Sequence, residues 1–298
     1  MAKQPRTLTN KVVAITGAAR GIGKATATAI AAKGARVAIG DLDGDLAASV
    51  AEQLGGGAIG LALDVTDRES FESFLKTVED QLGPLDVLIN NAGIMPIGSF
   101  VEETDATAKR MVDINLHGVI YGSKLALERF LPRGRGHLVN IASMAGKTGI
   151  PGGATYCATK HAVVGLSESI RAEVRDTNID ISVVMPVVVN TELGSGLPQT
   201  PGIKVVQPED VADAIVEALQ TGRFDVYVPK SMNATVRFTA IVPRRMAEAI
   251  GRALKSDQVL AHPDHTARAA YEARMTDTVA LAEQPDPAEQ PEREKEAV

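Results

Sequence analysis

Residues 11–41 read KVVAITGAARGIGKATATAIAAKGARVAIGD, and this stretch decides the fold. A short β-branched run, KVVAIT, leads into a glycine-rich turn. An amphipathic segment from Ile22 to Lys33 follows, and then a second apolar run, RVAIGD, ends on Asp41. The change from strand-like to helical patterning and back predicts a β-α-β unit. Both runs are apolar throughout instead of alternating, as suits parallel strands covered on both faces.

The same alternation continues down the chain. Asp45 to Leu54 reads as a helix, AIGLALDV as a strand, Ser70 to Leu82 as a helix and LDVLIN as a strand. A long helix from about Thr104 to Phe130, the strand HLVNIAS, a helix from about Thr155 to Arg175, and the strands IDISVVMP and FDVYVP complete the series. The expectation is an α/β, doubly wound, seven-stranded parallel sheet of Rossmann type over residues 1–230. Between the last two strands, GSGLPQTPGIKVVQPED predicts a loop or lid, followed by a helix from about Glu209 to Leu219. Beyond Lys230 the character changes, and residues 231–283 read as a helical extension. It holds a basic amphipathic helix from Thr239 to Lys255 and another from Asp264 to Leu281. The charged, proline-broken residues 284–298 predict a disordered acidic tail.

Composition narrows the function. The chain has 298 residues and a formal charge of −6, so it lacks the basic balance of a nucleic-acid-binding protein. One cysteine, Cys157, cannot form an internal disulfide, and no metal-ligand spacing is present, which fits a reducing cytoplasm. The polar start MAKQPRTLTN and the short run Val12 to Ile15 predict no secretion signal, and no apolar stretch is long enough for a membrane span.

The turn TGAARGIG places Gly17, Arg20, Gly21, Ile22 and Gly23 where the first strand meets its helix. Glycine permits a tight turn and lets a pyrophosphate approach the unpaired N–H groups of the helix start. An ordinary strand-to-helix turn gives the same string, and its position after the first strand favours dinucleotide binding. Asp41 can accept hydrogen bonds from the adenosine ribose hydroxyls and repel a 2′-phosphate, favouring NAD over NADP, while Arg20 is the one residue that favours NADP.

Ser143 stands at the carboxyl end of HLVNIAS, the edge where open parallel sheets bind ligands. Thirteen residues later, Tyr156 and Lys160 are spaced i and i+4 near a helix start and share one face. A cation beside a phenol, together with an oxidised nicotinamide, favours phenolate and draws the group toward useful acid/base strength. A lone Tyr-x-x-x-Lys is common on amphipathic helices; context gives this one weight.

Taken together, TGAARGIG, Asp64, NNAG at Asn90 to Gly93, Asn115 in DINLHG, Ser143 and YCATK resemble the single-domain branch of the short-chain dehydrogenase/reductase family, over roughly residues 8–230. The resemblance implies that Tyr156 is the acid/base, that Lys160 holds the nicotinamide ribose and lowers the tyrosine pKa, and that Ser143 orients the substrate oxygen. It also implies that Asn115 holds a water of the proton relay. Asp64 and Val65 match the adenine contacts, Asn90 with Asn91, Ala92 and Gly93 the turn beside the adenosine ribose, and Pro186, Val189 and Thr191 the segment over the nicotinamide. Val187 departs from the glycine often found after this proline, which implies a narrower pocket.

His117 reads as structural and Cys157 as a small buried hydrophobe. Ile94, Met95, Ile97, Met144, Ile150, Val187, Val188, Val189, Leu193 and Leu197 predict an apolar substrate pocket. The expected activity is hydride transfer between NAD and a lipophilic secondary alcohol or ketone of steroid, retinoid or alicyclic type. The alternatives are an NADPH-dependent carbonyl reductase and a non-catalytic dinucleotide-binding regulator. The basic amphipathic helix fits packing over the pocket or against a partner better than contact with an anionic membrane surface. The family resemblance implies a homodimer or homotetramer.

Overall fold

The computed structural model describes residues 5–198, 205–253, 259–261 and 263–282. Seven strands form one parallel sheet: β1 (Val12–Thr16), β2 (Arg36–Asp41), β3 (Ile59–Ala62), β4 (Val87–Asn90), β5 (Arg135–Ile141), β6 (Asn178–Pro186) and β7 (Asp225–Val228). Their order is β3-β2-β1-β4-β5-β6-β7, so β1 pairs with both β2 and β4. The winding reverses between those two pairings and opens a crevice at the carboxyl ends of β1 and β4.

The continuous apolar runs are explained by burial on both faces. Within β1, Val12 and Ala14 join one core, and Val13 and Ile15 the other. In β4, Leu88 joins the first, and Val87 and Ile89 the second. The first core packs beneath α3 (Arg68–Leu82), α5 (Gly118–Phe130) and α6 (Ala154–Glu173), through residues such as Phe71, Leu125 and Ile170. The second packs beneath α1 (Gly21–Ala31), α2 (Gly44–Leu54) and α7 (Pro208–Thr221), through Ile30, Val50 and Ile215. Asp43 and Asp67 cap α2 and α3 by accepting from the N–H groups of Leu46 and Glu69. Gln207 and Asp210 form a reciprocal capping box on α7.

Two expected helices are interrupted. The segment read as one helix from Thr104 to Phe130 consists of α4 (Asp105–Val112), a π-helical turn (Asp113–His117) and α5. Asn115 sits in that π turn, a local unwinding often found at functional positions. The segment read as one helix from Thr239 to Lys255 is instead α8 (Met232–Ile241) and α9 (Arg244–Ala253), separated at Val242 and Pro243. Proline lacks the N–H that a continuous helix would need there, and it drives the preceding residue into extended backbone. Residues 254–258 lie outside the described residues. The final helix, α10 (His265–Ala282), follows the expectation closely, whereas the expected acidic tail and part of the expected lid, residues 199–204, lie outside the described residues.

Candidate active site

The phosphate turn is built by approach of two backbones. Gly17 has φ +61°, and a Cβ there would stand 2.7 Å from Cα of Ala92, so a side chain is excluded. Asn91 braces the turn by donating from Nδ2 to the carbonyls of Thr16 and Gly17 at 2.8 and 2.9 Å. The Thr16 hydroxyl accepts from the N–H groups of Asn91 and Ala92, both at 3.0 Å. Asn90, read with the same turn, faces the interior instead. It is 2% exposed and donates to Asn140 at 2.9 Å, so its part is to tie β4 to β5.

At the end of β2, Asp41 accepts from Ala19 N–H at 3.0 Å and from Asp43 N–H at 3.2 Å. Arg20 lies over the same edge, and its guanidinium pairs with Asp43 at 3.1 Å. The cation that favoured a 2′-phosphate thus has a carboxylate partner. Asp64 accepts from the N–H and hydroxyl of Thr66, and Val65 is buried beside the cleft. The cleft has a volume of about 1970 Å³ and runs from Asp41 and Asp64 past Gly17 and Gly93 to Tyr156 and Lys160. A dinucleotide fits the features along its length: a side-chain-free turn, an acidic residue at one end and hydrogen-bonding groups at the other.

Asn115 is fully buried. Its Oδ1 accepts from Ile94 N–H at 2.8 Å, and its Nδ2 donates to Ile94 O at 2.9 Å and to the Thr159 hydroxyl at 3.3 Å. The amide therefore locks the loop after β4 to α6, the helix that carries Tyr156 and Lys160. Ser143 lies two residues past the end of β5, where its hydroxyl accepts from Ala145 N–H at 3.1 Å and donates to Pro186 O at 3.5 Å. Lys160 is 4% exposed; its Nζ donates to Ile141 O at 2.9 Å and stands 5.8 Å from the centre of the Tyr156 ring.

Burial dominates the electrostatics of this pair. Burial pushes the Tyr156 phenol above the usual tyrosine range, Ser143 opposes that shift, and Lys160 is not among the groups that move it. The ammonium is directed at a strand carbonyl, and burial lowers its own pKa to about 8. Burial also raises the Cys157 thiol, which leaves it a buried hydrophobe instead of a thiolate. His117 interacts with Asp113 at 3.0 Å and stacks beside Tyr121, away from the cleft. Among the described residues, no cluster of side chains suits a metal ion.

The apolar end is lined as expected by Ile94, Met95, Met144, Ile150, Val187, Val188, Val189, Leu193 and Leu197. Ile97 does not line it and packs against the core instead. Val187 N–H donates to Val228 O at 2.9 Å, and Thr191 approaches Gly21, which connects the loop after β6 to the phosphate turn. The extension adds residues that the sequence motifs did not reveal: Met232 and Val236 from α8, Val259 and Leu260 before α10, and Tyr271 and Met275 on α10. The spacing of Arg268, Tyr271 and Met275 on one helical stripe was the available signal. The outer sides of α8 and α9 leave Phe238, Ile241 and Met246 exposed.

A seven-stranded doubly wound parallel sheet with a cleft at the carboxyl ends of its strands defines a Rossmann-type fold. Residues 11–202 match the short chain dehydrogenase family model, and the chain belongs to that family. It is 37% identical over 228 residues to 2-(S)-hydroxypropyl-CoM dehydrogenase 3 of Xanthobacter autotrophicus, covering 70% of this chain and 89% of that protein. It is 34% identical over 218 residues to 2,5-dichloro-2,5-cyclohexadiene-1,4-diol dehydrogenase of Sphingobium indicum, covering 69% and 87%. A short chain dehydrogenase/reductase from Burkholderia phymatum, solved in complex with NAD, superposes with a TM-score of 0.72 at 26% identity and covers 78% of this chain and 93% of that one. The 3-ketoacyl-(acyl-carrier-protein) reductase of Brucella melitensis, complexed with NADH, gives 0.71 at 26% identity and covers 74% and 97%. The chain is thus an oxidoreductase of the short chain dehydrogenase family. Among the described residues, no helix is long and apolar enough to cross a membrane.

Proposed function

We propose that the protein transfers hydride between NAD and a lipophilic secondary alcohol or ketone, with Tyr156 as the acid/base. The observation that carries this reading is the buried Tyr156 phenol, which lines the apolar end of a cleft together with Ser143 and Lys160, the other end being Asp41. When bound, the dinucleotide supplies or accepts the hydride and, in its oxidised form, brings positive charge.

The side chains divide the remaining work. Tyr156 takes the proton of an alcohol oxygen or returns it to a carbonyl oxygen. The Ser143 hydroxyl holds that oxygen against the phenol. Lys160, fixed by the Ile141 carbonyl, is placed to hold ribose hydroxyls, and Asn115 keeps α6 and the loop after β4 in register. Gly17, Gly21, Ile22 and Gly23 form the pyrophosphate cradle. Asp64 and Val65 border adenine, Asn91, Ala92 and Gly93 the ribose, and Pro186, Val189 and Thr191 the nicotinamide.

NAD is favoured over NADP because Asp41 holds negative charge at the ribose end while Asp43 engages Arg20. The apolar lining of the reacting end suits an alicyclic, steroid-like or retinoid-like skeleton. The diol named in the Sphingobium relative is of compatible alicyclic type. Pairing into a dimer or tetramer through α5 and α6 belongs to the same reading. Titration with NADH and with NADPH, followed by nicotinamide fluorescence, tests the cofactor choice; tighter NADPH binding overturns it. A panel of cyclic alcohols, steroids and retinoids assayed with NAD tests the substrate class, and turnover of sugars in their place overturns the apolar reading.

A further inference from the structure

The proton-transfer scheme leaves one buried phenol in the cleft unused. Tyr271, from α10, is 6% exposed and lines the same cleft as Tyr156. Its oxygen accepts from Met95 N–H at 2.7 Å. A phenol also carries one O–H donor, and among the described residues that donor has no acceptor.

The ring is held firmly. Arg268, one turn earlier, is fully buried and donates to the carbonyls of Leu193 and Ser195, both at 2.9 Å, and of Met95 at 3.1 Å. Its guanidinium lies 4.9 Å from the centre of the Tyr271 ring. Asp264 N–H donates to Gly196 O at 2.8 Å, binding the start of α10 to the loop after β6. The extension is therefore a fixed wall of the substrate end. The two phenols line the same cleft there.

We propose that Tyr271 is a specificity-determining residue that donates a hydrogen bond to a second oxygen of the substrate, so that the site prefers diols and hydroxyketones to their singly oxygenated analogues. The inference rests on Tyr156 serving the reacting oxygen. A buried polar group discriminates against a ligand that leaves it unpaired, because its hydrogen bond is then forfeited. Met95 N–H fixes the phenol oxygen, and the remaining donor can meet an oxygen placed elsewhere on the skeleton.

The test compares matched substrates with NAD: cyclohexanol against the 1,2-, 1,3- and 1,4-cyclohexanediols, and androstan-17-ol against androstane-3,17-diol. In the wild type, at least one diol is favoured by about tenfold in kcat/KM, carried mainly by KM. Tyr271→Phe abolishes that preference, lowering kcat/KM for the favoured diol by about tenfold more than for the matched mono-alcohol. An equal loss for mono-alcohol and diol makes Tyr271 a wall only and overturns the proposal, as does a preference that survives the substitution. The wild-type comparison needs no variant, so equal kcat/KM for both members of every pair also overturns it. If no alcohol reduces NAD, the reading of Tyr156 has failed for this panel. Thermal shifts of the NADH-loaded protein then decide: 4-hydroxycyclohexanone must stabilise the wild type more than cyclohexanone does, and Tyr271→Phe must remove the difference. Equal shifts overturn the subsite.

Discussion

The Lys160 ammonium lies 2.9 Å from the carbonyl of Ile141, the last residue of β5, and 5.8 Å from the centre of the Tyr156 ring. The strand end, not the phenol hydroxyl, holds the cation. The ammonium is thus anchored to the sheet edge, and burial holds the phenol above the usual tyrosine range.

Replacing that phenol separates binding from chemistry. Tyr156→Phe removes one hydroxyl from a ring packed in the core, so NADH affinity changes by less than about twofold while turnover falls by at least ~100-fold, the scale of positioned acid/base catalysis. Fluorescence titration and steady-state kinetics on the same preparation read both. Near-normal turnover would sink the assignment.

Cofactor preference turns on an exposed pair. Asp43 caps α2 and binds Arg20, with both side chains 44% exposed. Asp43→Asn keeps a good cap and releases the guanidinium toward a 2′-phosphate. Because exposed pairs are weak, the expected gain in NADPH affinity is only roughly 2–5-fold, with NADH affinity unchanged. A change of the same size for both cofactors counts against a direct role for Arg20.

Docking of the extension depends on a glycine. Gly152 has φ +82°, and a Cβ there would stand 2.4 Å from Leu260 O. Gly152→Ala therefore costs about 1–3 kcal/mol and loosens Leu260 from the substrate end. KM for the alcohol rises, cofactor affinity holds, and α10 becomes easier to cleave in limited proteolysis. An unchanged digestion pattern would show that the wall does not depend on this contact.

Acid sensitivity traces to a histidine remote from the cleft. His137 is 5% exposed, with Nε2 2.8 Å from the Ser182 hydroxyl, which itself donates to Arg223 O. The ring therefore donates from Nε2. Burial lowers its pKa from 6.5 to about 4; Asp180 works against that shift, and Arg6 assists it. The unfolded chain takes up the proton first, so the stability this group contributes is complete above pH 6.5 and lost as pH falls to about 4. Melting temperatures between pH 7 and 4.5 should fall more steeply for the wild type than for His137→Gln. Parallel curves would assign the acid transition to other groups.

The sheet, the phosphate turn and the Ser143, Tyr156 and Lys160 grouping were legible in the amino-acid order, because each is encoded locally. Residues 11–41 carry a strand, a turn and a helix within one short span, and Tyr156 and Lys160 meet because helices bring i and i+4 together. Only the tertiary structure decided where Lys160 directs its charge, that Arg20 is paired, that Asn90 faces inward and that Asn115 lies in a π turn. The same holds for Tyr271, which lies 115 positions from Tyr156 in the chain and reaches the cleft only because Arg268 fastens α10 to carbonyls of two distant loops. Such contacts depend on which backbone groups remain unpaired after the sheet has closed, and local patterning does not specify them.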